Sequence, residues 1–410
     1  MQVKFMHFLD YFIGLPACFL LSAVNACLSL IIKKRNHENV KNVLFIKLFG
    51  MGSVTLSLAA VKRFIDQRPL CNVYYLTFAS NKFVFNCVKN LDSVKILSLR
   101  SENLKFFIAD FTAALYKIRK IKFDIVFDFE FFSRLPAIIS FLSGAACRVG
   151  FFNKYTEGFY RGNFLTYKIF YNPYQHVAQA YLDMVDAIDK KNALPYNKIH
   201  DRNINDFRDL HLAFNNNKSE LKNYRRETGL DKHAGLVLFN PNVSKGFIDL
   251  RCWPLEYYAE IGRLIIKNYS RVVIGLIGDK NDSERCGRLA EMIASGRLKN
   301  FAGNTSLKEL CYLLDLADLL VTNDTGPGHL AALGNGHIVT LHGPETPMQF
   351  SPFTLNKSSM FLKLGCSPCG TIFNRRQTQC QDNLCMQMLA PSIVWSEIKK
   401  IIKIKNLRWK

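Results

Sequence analysis

Six residues, Asp324, Thr325, Gly326, Pro327, Gly328 and His329, stand directly behind an apolar run at 319–321 and ahead of a short helical pattern that Gly334 ends. Their types suit a helix start. Asp324 or Thr325 can cap the first turn, Pro327 fits where no backbone donor is needed, and the glycines let N–H groups come close to a ligand. Such a start attracts phosphate oxygens, because unpaired N–H groups and the helix dipole both favour negative charge there. A purely structural turn with a capped helix uses the same residues, so the motif alone leaves both readings open.

Two other patterns bear on chemistry. Cys366, Cys369, Cys380 and Cys385 form C-x2-C-x10-C-x4-C, and four thiolates could complete a tetrahedral zinc site. Free thiols or a disulfide are the alternatives. The other eight of the twelve cysteines lie scattered through apolar or helical contexts, which fits reduced core thiols. Gly50-Met51-Gly52 begins like a dinucleotide fingerprint, but Thr55 stands where its third glycine belongs, which discounts NAD.

These residues need elements to hold them. NVLFI at 42–46 reads as an apolar strand, followed by a glycine turn and a helix with Leu56, Ala59, Ala60 and Phe64 on one side. Strands at VYYLTFA, VKILSL and KFDIVFDFEFF continue the order, and helical segments are expected from there to about Ala193. A polar, strand-poor stretch at 192–217 follows. The alternation then restarts with GLVLFNPNVS, WPLEYYAEIGRLIIKN, RVVIGLIG, DSERCGRLAEMIAS, SLKELCYLLDLA and DLLVTND, and HIVTLHG reads as the last strand. Strand–helix alternation implies a parallel sheet covered by helices, so the fold expected is α/β with two Rossmann-like lobes facing a cleft. The divisions expected are a hydrophobic segment at 1–38, lobes at 39–225 and 226–390, and a basic closing helix at 391–410. That helix, with isoleucines among lysines and Trp409 near its end, suits packing on the first lobe, an interfacial contact, or both.

Composition sets the surroundings. The chain has 410 residues, 49% of them hydrophobic, which excludes a disordered tail. Its formal charge of +21 attracts polyanions such as nucleic acid, anionic lipid or phosphorylated glycans. The basic residues form no aromatic-interleaved stripe, so a nucleic-acid partner is not expected. Residues 11–32 carry no charge, and Lys33-Lys34-Arg35 follows them. Gly14 and Pro16 are expected to restrict the regular helix to Pro16 onward, roughly 25 Å at 1.5 Å per residue. Ser22, Asn25 and Ser29 share one of its faces. A spanning helix and a shallow monotopic anchor both remain open, and a buried core helix is a third reading. A signal peptide with a cleavage site near Val24-Asn25-Ala26 is opposed by the cations behind it. The remainder is expected at the cytoplasmic face of the inner membrane.

The stretch from Phe301 to Phe353, with NPNVS and LRCWPLEYYAEI upstream, resembles the C-terminal signature of glycosyltransferase family 9, the lipopolysaccharide heptosyltransferases. NVLFIKLFGMGSV and FDIVFDFEFFSRLPAIISFLSGAACRVGF are similar to its first strand and acceptor-side segment. The resemblance implies a GT-B fold, inverting metal-independent transfer, a nucleotide-sugar donor, ADP-heptose by the family's pattern, and an acceptor on the first lobe, which the hydrophobic segment and the basic surface make a lipid-linked saccharide. No cofactor is implied. Carried over, Asp324, Thr325, Gly326, Pro327, Gly328 and His329 line the donor, Ser244 and Arg251 hold its phosphates, and Asp282 or Glu284 reaches the nucleoside unless it merely starts a helix. Gly50, Gly52, Ser53 and Arg134 fall on the acceptor side. The family's proposed base is an aspartate where this chain has Ser53, and a serine hydroxyl accepts no proton at neutral pH without an activator. Glu130, then Asp128, at the end of an apolar strand, are the replacement candidates, unless they cap the next helix or pair with Arg134. A catalytically inactive GT-B scaffold would equally explain the lost aspartate. His176 and His342 read as structural.

Overall fold

A computed structural model describes residues 3–31, 40–131, 133–152, 160–189, 213–243, 249–371, 373–374, 376, 378–407 and 409. The chain forms two compact units, one of residues 1–86 and 90–210, the other of residues 87–89 and 211–410. The division thus falls about fifteen residues before the expected boundary at 225, because the helix Lys218–Glu227 buries Tyr224 in the second unit, against Tyr312.

In the first unit, strands β1 (Asn42–Ile46), β2 (Asn72–Phe78), β3 (Lys95–Leu99), β4 (Ile125–Asp128), β5 (Cys147–Phe152) and β6 (Tyr167–Phe170) make a parallel sheet of order β3-β2-β1-β4-β5-β6. Its central strands read as continuous apolar runs because helices cover both faces. Phe45 and Phe127 stack on one face with ring centroids 4.7 Å apart. Leu44, Ile46, Leu76, Val126 and Ile139 belong to the core cluster of the other face. Two strands, β5 and β6, occupy a region expected to be helical; CRVGFF places Cys147, Val149 and Phe151 inward at a period of two, which only a strand can do.

The second unit repeats the plan with β7 (Gly235–Asn240), β8 (Val272–Leu276), β9 (Leu298–Asn300), β10 (Leu319–Asn323), β11 (His337–Leu341) and β12 (Lys357–Met360), in the order β12-β11-β10-β7-β8-β9, again parallel. β12, beyond the strand expected to be last, and β9 are the sheet's edges, short and only partly buried, and their polar sequences carry little strand signal. In each sheet the strand order reverses at one point, between β1 and β4 and between β10 and β7, and ligands of such sheets bind outside the carboxyl ends of strands there.

The N-terminal helix does not wait for Pro16. It runs from Val3 to Ile31, with a π-helical turn at Asp10–Gly14 directly before the proline. A π turn is wider than an α turn, so it accommodates the donor that Pro16 lacks. Met51–Gln67 begins behind Gly50, whose φ of 80° only glycine adopts without strain.

The closing helix Pro391–Ile404 packs within the second unit. Val394, Ile398 and Ile401 join the core of Phe239, Ile261 and Trp253. The chain then places Trp409 over Gly235, where a Cβ would stand 2.2 Å from the indole nitrogen. The indole donates to Asp318 Oδ2 at 3.3 Å, and the Trp409 carbonyl accepts from Arg271 N at 3.1 Å. The expectation is that Trp409→Ala lowers the unfolding free energy by about 3–5 kcal/mol, measured by urea denaturation.

Candidate functional site

In the second unit the carboxyl ends of β7 and β10 are joined by buried amides. Asn240 Nδ2 donates to Thr322 Oγ1 at 3.0 Å and Thr325 Oγ1 at 2.8 Å. Asn323 Nδ2 donates to the Pro241 carbonyl at 2.9 Å, while its Oδ1 accepts from Trp253 N at 3.2 Å. These bonds fix the backbone on which Asp324 and Thr325 sit. The helix Gly326–Ala331 follows, with Gly328 packed where a Cβ would meet Thr322 at 3.2 Å. Thr325 takes the N-cap position, but its hydroxyl is held by Asn240 and makes no capping bond.

Asp324 is 5% exposed and nearly enclosed by basic groups. Arg251 Nη1 donates to its backbone carbonyl at 2.8 Å and lies 4.0 Å from its carboxylate. His329 Nε2 is 4.0 Å away and His342 Nδ1 3.9 Å. Glu345, fully buried, takes Arg251 on one side at 3.4 Å and the Arg376 guanidinium on the other, in a two-pronged contact. Burial lowers both imidazoles, His329 to about 4, so both are neutral at pH 7. Burial opposes ionisation of Asp324 as well, yet the surrounding His342, Arg251 and His329 outweigh it and hold its carboxyl below the ordinary range. With the imidazoles neutral, Arg251 and Arg376 are the standing charges behind that direction. Asp324 Oδ2, His329 Nδ1 and His342 Nδ1 are buried without a hydrogen-bond partner among the described residues. Buried polar atoms are rarely left so, and a cluster of three marks a place where a ligand can complete them.

The first unit has its own polar cluster at the ends of β1 and β4. Asp128, at the end of β4, accepts from Arg161 Nη2 at 2.5 Å and from Glu130 N at 3.1 Å. Glu130 pairs with Lys47, the residue after β1. All four side chains are less than 9% exposed. Burial pushes the carboxyls of Asp128 and Glu130 up, Arg161 and Lys47 pulling each partly back. Arg161 Nη1 and the Tyr181 hydroxyl are buried without a hydrogen-bond partner among the described residues. This is a second incomplete site.

The sequence-derived residues distribute as follows. Asp324, Thr325, Gly326, Pro327, Gly328, His329 and Arg251 come together in one cluster. Ser244 lies outside the described residues. Asp282 closes a capping box with Asp279, and Glu284 is exposed in the first turn of Ser283–Ile293. Gly50, Gly52 and half-buried Ser53 form the start of Met51–Gln67. Arg134 pairs neither with Asp128 nor with Glu130 as one alternative had it; it is bonded to Asp10 at 2.9 Å and the Tyr160 carbonyl at 2.8 Å. His176 caps the helix Val177–Asp186, its ring accepting from Ala178 N. His342 faces Asp324 rather than serving packing alone. Cys366, Cys369, Cys380 and Cys385 are free thiols, and among the described residues no group of three or more His, Cys, Asp or Glu is set to hold a metal ion. Sequence reasoning missed Lys47, Arg161, Glu345 and Arg376. Only Lys47, a charge at the end of an apolar strand, gave a signal.

Two Rossmann-like units with polar clusters at their switch points define a protein of the GT-B class. The sequence pattern of glycosyltransferase family 9 (heptosyltransferase) matches residues 116–379, well over half of the chain, which belongs to that family. The chain is 28% identical over 201 residues to lipooligosaccharide heptosyltransferase 2 of Campylobacter jejuni, covering 48% of this chain and 58% of that protein. It therefore spans less than two-thirds of that relative's length. Solved structures share the fold at 17% identity. One is E. coli ADP-heptose lps heptosyltransferase II, with a TM-score of 0.65 and coverage of 89% of this chain and 99% of that one. Another is E. coli heptosyltransferase WaaC with ADP-2-deoxy-2-fluoro heptose, with a TM-score of 0.59 and coverage of 88% and 99%.

The neutral state of His329 has a measurable consequence. Its folded pKa of about 4 lies below the unfolded 6.5, so the unfolded chain takes up the proton first as pH falls. The stability tied to this imidazole is full above 6.5 and is lost on the way down to about 4, on the order of 3 kcal/mol in all. The free-energy gap between wild type and His329→Asn, from urea titrations across this window, is expected to shrink accordingly. A gap independent of pH would mean that His329 is not held neutral.

Proposed function

We propose that the chain is an inverting glycosyltransferase that moves heptose from ADP-heptose to a lipid-linked saccharide of lipopolysaccharide or a related envelope glycan, without a metal, at the cytoplasmic face of the inner membrane. The observation that carries this is the buried carboxylate of Asp324, surrounded by Arg251, His329 and His342 with three polar atoms unfilled, at the switch point of the second sheet. Family membership and the ADP-sugar analogue held by the WaaC relative support the donor class.

In this reading Asp324 accepts a hydroxyl of the donor, and Arg251 with the N–H groups at Gly326–Gly328 meets the diphosphate. As the anomeric C–O bond to the diphosphate breaks, the electron pair leaves with ADP, and donors already in place stabilise the growing charge. The acceptor hydroxyl forms the new bond and its proton passes to Glu130. Burial supports that assignment, since a raised carboxyl pKa makes a better base near neutrality. Glu130 is favoured over Asp128 because Asp128 already accepts from both Arg161 and the Glu130 amide. Ser53 and the two glycines then shape the acceptor side.

The near-complete burial of Glu130 in its pair with Lys47 favours one alternative, a scaffold that binds donor without turnover. A thermal-shift panel of nucleotide sugars followed by transfer assays separates the two. ADP-heptose is expected to raise the melting temperature of wild type and of Glu130→Gln, but not of Asp324→Ala. Glu130→Gln is expected to lower kcat by about 10²–10⁴. Full turnover by that variant removes Glu130 as the base, and stabilisation by ADP-heptose with no turnover in wild type establishes the scaffold.

A further inference from the structure

The N-terminal helix Val3–Ile31 has two faces of opposite character. Met6, Asp10, Gly14, Cys18 and Ser22 recur every four residues, and Asn25 follows on the same side. A strict spacing of four drifts around an α-helix of 3.6 residues per turn, and the π turn at Asp10–Gly14 takes up part of that drift. The result is a continuous inward stripe. Met6 packs on the core cluster of Ile118 and Ile139. Asp10 receives Arg134 through an ion pair at 2.9 Å, Arg134 N at 2.7 Å and the Ser133 hydroxyl at 2.9 Å. Gly14 lies against Arg134, where a Cβ would be 3.2 Å from that side chain. Cys18 is fully buried with Ala137 and Phe164. Ser22 bonds the Tyr160 hydroxyl at 2.9 Å and accepts from Asn163 N at 2.8 Å, and Asn25 Oδ1 accepts from Arg148 Nη2 at 3.0 Å.

The other face is apolar and open. Phe8, Phe12, Ile13, Phe19 and Leu20 are each more than half exposed. The helix carries the polar side inward and the greasy side outward, the reverse of a helix that covers a core from water. Its one acidic residue, Asp10, is consumed by Arg134, so the outward face bears no negative charge. Cations border it. Lys33-Lys34-Arg35 follow in sequence, and the helix Leu104–Ile121, whose Phe107 and Phe111 pack on the same core cluster as Met6, exposes Ile108 and Tyr116 alongside Lys105, Lys117 and Lys120. The acid of that helix, Asp110, is likewise engaged, by Arg100 through Nε and Nη2.

We infer that this helix is a fixed, in-plane lipid-contacting face whose occupant is the surface of an anionic bilayer, and that it does not cross the membrane. A spanning helix would have to leave the domain, because its inward stripe from Met6 to Asn25 is bonded to Arg134, Tyr160 and Arg148, and these cannot follow it into hydrocarbon. Lying flat, it keeps every one of those bonds, buries its aromatic face at the headgroup boundary, and sets the flanking cations against lipid charge. The inference is independent of the transfer reaction, and binding rather than turnover tests it.

The test uses the full chain with vesicles of pure phosphatidylcholine and of equimolar phosphatidylcholine and phosphatidylglycerol. Wild type is expected to sediment with the anionic vesicles, less so at high salt. Phe12→Glu/Leu20→Glu and Phe12→Ser/Leu20→Ser are expected to bind roughly tenfold more weakly or worse. Both pairs should keep the wild-type melting temperature, because the replaced side chains face outward. Phe5→Trp, Phe12→Trp and Leu20→Trp should each be quenched best by lipids brominated near the headgroup. Absence of vesicle binding by wild type, or unchanged binding by both double variants, overturns the lipid face. Quenching depth that increases steadily along the three positions overturns the in-plane placement.

Discussion

A charge withdrawn from water must be answered by a partner within a few ångströms, and in both units this requirement falls on the carboxyl ends of the central parallel strands. Those ends lie between two helical layers, where apolar packing is dense and solvent is scarce. Lys47 answers Glu130 and Arg161 answers Asp128 in the first unit. Arg251 and Arg376 share Glu345 in the second, with Asp324 drawn in through Arg251. Well-packed apolar residues would stabilise such positions at least as well as ion pairs do. Stability alone therefore does not account for eight ionisable groups at two switch points, whereas chemistry on a polar ligand does.

The charge count at the second cluster shapes how a diphosphate could be held. Arg251 and Arg376 are already balanced by Asp324 and Glu345, the two imidazoles are neutral, and Lys357, which acts on both of them, adds one cation. An incoming anion would meet no large net positive charge. It would meet oriented donors: the guanidinium N–H groups of Arg251, the imidazole N–H of His329 and the backbone of the Gly326–Pro327–Gly328 turn. Affinity in such a place comes from geometry fixed in advance by Asn240 and Asn323, and those amides act by holding two strand ends in register. The +21 of the whole chain is therefore not concentrated in this cluster.

Much of this was legible in the sequence. Apolar runs such as NVLFI and DLLVTND, followed by glycine and a helical period, give both sheets and place the Asp324 motif at a strand end. The edge strands β6, β9 and β12 were not legible, because half-buried polar strands lack a pattern of their own and form by pairing with a neighbour. The partners in the charge clusters were hidden for a different reason. Lys47 and Glu130 are 83 residues apart and Arg251 and Glu345 94 apart, and nothing local in either segment encodes the match. Arg134 illustrates the cost of local reasoning: next to Asp128 and Glu130 in sequence, it is turned to Asp10, 124 residues away.

The substitution of serine for the family's aspartate shifts the problem of the base from a helix start to a strand end, and the two places differ physically. At the first turn of Met51–Gln67 a carboxylate would sit near a helix N-terminus, whose dipole favours the ionised form and weakens it as a base. Glu130 meets the opposite balance, since burial raises its pKa by more than Lys47 lowers it. Taking a proton there removes the negative charge that faces Lys47, which opposes the transfer. Asp128, paired with Arg161 in the same buried cluster, works in the other direction, since its charge raises the Glu130 pKa. If Glu130 is the base proposed above, Asp128 assists without touching the substrate: its negative charge raises the Glu130 pKa, which helps that carboxylate take the proton.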